Sequence, residues 1–227
     1  MIGRRTRTAL LAAGLLVAAA AVSPPVDALC DPSLPAHMFQ HMLLTMVAAP
    51  LIVIGSPISL ALRVAPRPAA RRLAGLHRSR LLRLAAAPAL AWTVLPCLQL
   101  AIYATPLFEL ADRRAPVHAA EHAALFGAAL LFWRPLVGVD PPRRPHPAVQ
   151  IGYLLAAMPA GDVIGIWLMS SGHIQYASYA AGGLGAQRQT GVVMLAGSFV
   201  LGAAALTTAW SWVQRDHLRT VLRERVP

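Results

Sequence analysis

Charge is scarce in this sequence. Of its 227 residues 13% are charged, roughly half the ~25% of an average soluble domain. Lysine is absent, so all 20 basic residues are arginine. Cysteine is almost absent too. Cys30 and Cys97 do not form a CxxC pair, which removes thiol redox motifs and cysteine-rich zinc sites from consideration. Cys97 lies in an apolar run and reads as a small core residue. Cys30 reads as a free thiol outside the membrane. Aromatic residues make up only 6%. Trp92, Trp133, Trp167, Trp210 and Trp212 fall near the ends of apolar runs, where a membrane-interface belt is expected.

What the chain has in quantity is apolar length. It is 57% hydrophobic, and its mean hydropathy is +0.56. Several runs reach the roughly 20 residues that a bilayer core requires. The composition is that of a polytopic membrane protein with the lipid bilayer as its solvent. A net charge of +11 would suggest nucleic acid as the partner of a soluble domain. Here the arginines occupy the gaps between apolar runs, which points to membrane topology and away from nucleic acid.

Apolar spans are expected at about 8–23, 37–62, 84–105, 116–138, 149–170 and 190–213. Arg4, Arg5 and Arg7 precede the first. Arg63, Arg67, Arg71, Arg72, Arg78, Arg80 and Arg83 follow the second. Arg134, Arg143 and Arg144 end the fourth, and Arg215, Arg219, Arg223 and Arg225 follow the sixth. Only Arg113, Arg114 and Arg188 lie in the alternate gaps. The positive-inside rule then predicts an all-α, polytopic transmembrane bundle of about six helices with both termini cytoplasmic. Three parts follow: 1–33, a first transmembrane helix or signal-like segment plus an outer loop; 34–213, the transmembrane bundle; and 214–227, a basic cytoplasmic tail. The first segment has a basic start and a "VDA" that could end a cleavable signal. An uncleaved helix is the expectation adopted.

Two stretches carry polar groups into apolar runs. "PAHMFQH" opens the second span and "PVHAAEH" opens the fourth. Both read P-x-H-x-x-[QE]-H, and both begin with the proline that suits a first helical turn. Both spans later reach a P-L exit, "PLIVIG" and "PLVG". The pattern reads as a weak two-fold repeat of parallel helices. Histidines at i and i+4 share one helical face. His37, His41, His118 and His122 would therefore converge at the outer membrane level, with Gln40 and Glu121 bordering the same face. Polar groups at a membrane face are costly and usually functional. Imidazole suits copper, zinc and iron, and thioether sulfur leans towards copper(I). Met38, Met42 and Met46 recur beside the histidine face but read first as packing residues. Helix N-termini disfavour a cation; Glu121 and the outer acids Asp27, Asp31, Glu109 and Asp112 would offset that. His173, at the exit of the fifth span, is a further outer histidine that could join the site. Asp162, inside the fifth span, is a partner for a histidine or a proton site. Tyr176 to Thr190 reads as an outer loop. Without a metal, paired histidines at helix starts read as groups that snorkel to the interface.

The stretches "HMFQHMLLTMVAAPLIVIGSP" and "HAAEHAALFGAALLFWRPLVG", and less clearly "YASY" with "AQRQTGVVM", resemble the caa3-type cytochrome c oxidase assembly factors of bacterial membranes. The likeness covers roughly 34–195. It implies a multi-pass protein of the bacterial cytoplasmic membrane, an assembly factor rather than an enzyme. It implies a role in building a haem–copper oxidase, by binding or delivering copper. Its partners would be oxidase subunits or another copper carrier. The family's histidines correspond here to His37, His41, His118 and His122. The chain departs from the family pattern at Ala186, before Gln187, and at Leu195, after Met194, where the family usually has an acidic residue and a tryptophan. Two other classes stay open from the residues. "HAAEH" matches the H-x-x-E-H zinc-hydrolase pattern, with Glu121 as general base. One histidine from each span would also suffice for a bis-histidine haem carrier.

Overall fold

The computed structural model describes residues 3–77, 79, 84, 87–137 and 145–224. All secondary structure among them is helical. Proline opens most helices, as it should: the first turn has no use for its missing N–H. Helix α1 is Arg4–Ala21, followed by the short α2, Pro24–Cys30. Helix α3, Leu34–Met42, passes through a π-helical turn, Leu43–Ala48, into α4, Ala49–Gly55. Ser56 then takes a left-handed conformation, φ 54°, and Pro57 starts α5, Pro57–Val64. Helix α6 is Arg67–His77 and α7 is Pro88–Tyr103. The short α8, Leu107–Arg113, precedes α9, Ala115–Val137. Helix α10 is Pro147–Ser170. A 3-10 segment, Ala177–Gly182, leads into α11, Gly183–Glu224.

Leu34–Leu62, Ala115–Leu136, Pro147–Ser170 and Ala177–His217 are long and apolar enough to cross a membrane, and two bent pairs of helices raise the number from four to as many as six where each pair is one span. The pairs are α1 with α2, bent by 55°, and α7 with α8, bent by 73°. The expected spans are thus present, with two corrections of detail. The last helix starts near 183 rather than 190 and continues unbroken into the basic tail, as far as Glu224. The gap before α9 is itself helical. Arg78, Arg80, Arg83, Arg143, Arg144 and Arg225, and Gly138 of "PLVG", lie outside the described residues.

The helices carry apolar side chains on both their inner and outer faces. Phe199, Leu206 and Trp210 of α11 are exposed, as lipid-facing residues must be, because hydrocarbon is as apolar as they are. Phe108, Tyr103, Phe132, Leu125 and Leu154 fill the interior. Close helix crossings depend on small residues. A Cβ on Gly14 would sit 2.7 Å from the Ile52 side chain, and one on Gly55 would sit 2.7–2.9 Å from Leu11. These contacts seat α1 on α4, so the first segment is part of the bundle. Helices α10 and α11 pack along their lengths.

The π-helical turn has a local cause and a consequence. Pro50 has no N–H, so the helix before it lacks one of its usual donors. The Thr45 carbonyl instead accepts the indole N–H of Trp133, at 2.9 Å. Trp133 is buried. This corrects its expected place in an interface belt: it ties α9 to the π-turn. Cys97 is also corrected, being exposed on α7, while Cys30 is buried.

Candidate metal centre

Helices α3 and α9 run in the same direction, and both begin at one end of the bundle. Their histidines meet in register. The His37 ring stacks on His118 at 5.0 Å, and the His41 ring meets His122 edge-on at 4.9 Å. One ring nitrogen from each of His37, His41, His118 and His122 lies within 4.8 Å of the other three. His37 and His41 are each 1% exposed, and His118 is half-buried. Four imidazoles so placed can hold a metal ion.

Hydrogen bonds decide which nitrogens face inward. Tyr179 donates its hydroxyl proton to Asp112, at 2.9 Å. Its oxygen is therefore free to accept Nδ1–H of His37, 2.6 Å away. That leaves the His37 Nε2 lone pair for the centre. The Tyr103 hydroxyl lies 2.8 Å from His41 Nδ1 and turns the opposite nitrogen, Nε2, towards the centre. The Nε2 atoms of His37 and His41 are buried without a hydrogen-bond partner. So are both carboxylate oxygens of Glu121, whose Oε1 is 4.0 Å from His41 Nε2. Buried polar atoms are nearly always paired. A cation bound by these lone pairs would satisfy the set, and Glu121 would offset its charge. Among the described residues the remaining two histidines bond each other, Nε2 to Nε2 at 3.1 Å.

Residues 3–215 match the cytochrome c oxidase caa3 assembly factors. The chain belongs to that family. Uncharacterized proteins of Mycobacterium bovis and of Mycobacterium tuberculosis are each 36% identical to it over 143 residues. The alignment covers 59% of this chain and 22% of each relative. A Mycobacterium leprae protein, also uncharacterized, is 33% identical over 144 residues, 59% of this chain and 22% of its own length. The chain thus spans under a quarter of the curated relatives it matches. No solved structure matches it.

In this assembly-factor chain the other expected site residues sort into three groups. Glu121 enters the centre. Gln40 turns out of it: its amide donates to the Ala21 carbonyl at 2.6 Å and to Asp27 at 2.5 Å. The two positions match in the repeat, yet Gln40 ties the α1–α2 bend to α3 while Glu121 faces the histidines. His173, Asp162, Met38 and Met42 lie elsewhere. His173 is exposed and pairs with Gln175 at 3.0 Å, which corrects the expectation that it joins the site. Asp162 accepts the Ser198 hydroxyl, at 2.5 Å, and links α10 to α11. Met38 is in the core. The Met42 sulfur sits against Gly197 of α11.

Two residues important to the site, Tyr103 and Phe108, carried no sequence signal of their own, and Asp112 was legible only as one of the outer acids. They come from α7 and α8, and Tyr179 joins them from the distant 3-10 segment. Phe108 packs 5.3 Å from the His37 ring. Tyr176 donates to the Tyr103 carbonyl at 2.7 Å. "YASY" was a hint of Tyr179, but its segment read as an outer loop. The departures at Ala186 and Leu195 leave the neighbouring Gln187 clamp intact. Gln187 accepts from the Gln175 backbone at 2.7 Å and donates to the Leu168 and His173 carbonyls at 3.1 and 3.2 Å.

Proposed function

We propose that this assembly factor binds copper through His37, His41, His118 and His122 and delivers it to a haem–copper cytochrome c oxidase. The observation that carries the reading is the pair of buried, partnerless Nε2 atoms on His37 and His41, aimed at two more histidines and a carboxylate. Copper enters from the family's client oxidase; the imidazoles alone suit zinc equally well. In this reading the protein is a multi-pass resident of the bacterial cytoplasmic membrane, with both ends cytoplasmic, which places the histidines at the outer face. Its partners are oxidase subunits or another copper carrier.

Binding fits better than catalysis. Four imidazoles fill a tetrahedral shell, whereas catalytic zinc sites keep one position open for water. The geometry also disfavours haem. The His118 and His122 rings lie 4.3 Å apart and His37 stacks on His118, so no flat slot is left between helices for a porphyrin.

The test is a copper(I) titration of the purified protein beside a variant with all four histidines replaced by Ala. A deletion strain carrying either form would then be assayed for oxidase activity and oxidase copper. Wild type should bind copper and restore a copper-loaded oxidase; the variant should do neither. A variant that restores a fully loaded oxidase would refute the mechanism.

A further inference from the structure

The four histidines are not equivalent. His37 and His41 are held from behind by Tyr179 and Tyr103. Around them Phe108, Tyr103, Tyr176 and Tyr179 form a buried aromatic wall. Among the described residues His118 and His122 hydrogen-bond each other. His118 is half-buried, and His122, 6% exposed, lies deeper beside it. Helix α1 packs on α4 and the π-turn, and α9 packs on α4 and α7. Between α1 and α9 a groove of about 610 Å³ remains. Its walls are small or apolar, including Ala19 and Leu15 of α1 and Ala119, Ala123 and Phe126 of α9. Its polar side chains are His118, His122 and Asp27; His37 and His41 do not line it.

We propose that this groove is the exchange mouth of the site, through which His118 and His122 receive and release the metal ion while His37 and His41 stay fixed. The inference rests on the metal-binding reading above. An ion moves between proteins by ligand exchange, so it is never bare. A bond forms between the ion and a donor of the carrier, a thioether, thiolate or imidazole. One imidazole bond, that of His118, breaks in the same step. The imidazole leaves neutral and no electron changes hands. The leaving ligand must be able to swing away, and the incoming donor must reach the ion. His118 meets both conditions, because it is half-buried and lines the groove. His37 meets neither. Asp27, fixed by Gln40 at 2.5 Å, adds a carboxylate that draws a cation to the mouth.

The test is to plug the groove and time the exchange. Wild type and the variants Ala119→Trp and Ala123→Trp would be loaded with copper(I) and mixed with excess bicinchoninate, and extraction followed by absorbance. Both variants should hold as much copper as wild type and release it about tenfold more slowly or worse, as a closed gate does. A Trp at Ala196, in the separate apolar groove between the π-turn and α11, should leave the rate unchanged. Extraction at the wild-type rate from the plugged variants, or equal slowing by Ala196→Trp, would overturn the proposal. Should the plugged variants fail to fold, Ala19→Cys with Cys30 and Cys97 replaced by Ala can be blocked after folding. A bulky maleimide there should slow copper loading, and a small methylthio group should not; equal rates would again overturn the proposal. If wild type binds no copper at all, the binding reading has failed. If it loads normally and the plugs do nothing, the exchange mouth alone has failed.

Discussion

Replacing Tyr103 by Phe deletes one oxygen and leaves the ring that fills the core. That oxygen holds His41 Nδ1 at 2.8 Å. Tyr103 and His41 are each 1% exposed, so water cannot take its place. A buried ring nitrogen left without its partner costs about 1–3 kcal/mol. The His41 ring is also released from the orientation that aims Nε2 at the centre. Loss of such an outer partner typically weakens metal binding 10–100-fold. Tyr103→Phe should therefore weaken copper(I) by about 10–100-fold, with stoichiometry unchanged at high copper. Tyr179→Phe should do the same through His37, and it also strands Asp112, which loses its 2.9 Å donor. The assay is competition against a copper(I) chelator in detergent. Thermal melting by circular dichroism of the metal-free forms separates lost affinity from lost fold. If both Phe variants bind within about twofold of wild type, less than 0.5 kcal/mol, the tyrosines do not orient the ligands.

Glu121→Gln keeps the shape of the side chain and removes its charge beside His41. It should lower cation affinity roughly tenfold with little change in fold, read by the same competition. His173→Ala should leave copper stoichiometry and affinity unchanged, since that side chain bonds Gln175 at the surface; any loss of a bound ion would reinstate it as a ligand. Gly55→Ala would drive a methyl into the Leu11 backbone and should lower stability by about 1–3 kcal/mol, seen as a lower midpoint of thermal unfolding in detergent. Trp133→Phe strands the Thr45 carbonyl and should cost about 1–3 kcal/mol. It should also slacken the π-turn, measured as faster amide hydrogen exchange at 43–48.

Periodicity and charge made much of this molecule legible in one dimension. Apolar length dictates helices that span a bilayer, because backbone polar groups there must be satisfied within the helix. The i, i+4 histidines, once placed on helices, must share a face. Two such helices beginning with the same motif bring the four together if they pack in parallel. None of this needed a contact map. Tertiary packing decided everything that depends on distance. It sent Gln40 towards Asp27 and Glu121 towards His41, although the two hold the same position in the motif, because α3 meets the α1–α2 bend where α9 meets α3. It drew Tyr103, Asp112 and Tyr179 from separate segments, whose order in the chain says nothing of their angle or depth. It buried Trp133 and exposed Cys97 against their expected places, because a period of 3.6 names a face without saying whether lipid or protein covers it. It also left α1 and α9 apart, and two of the four histidines line the groove between them, His118 half-buried and His122 deeper.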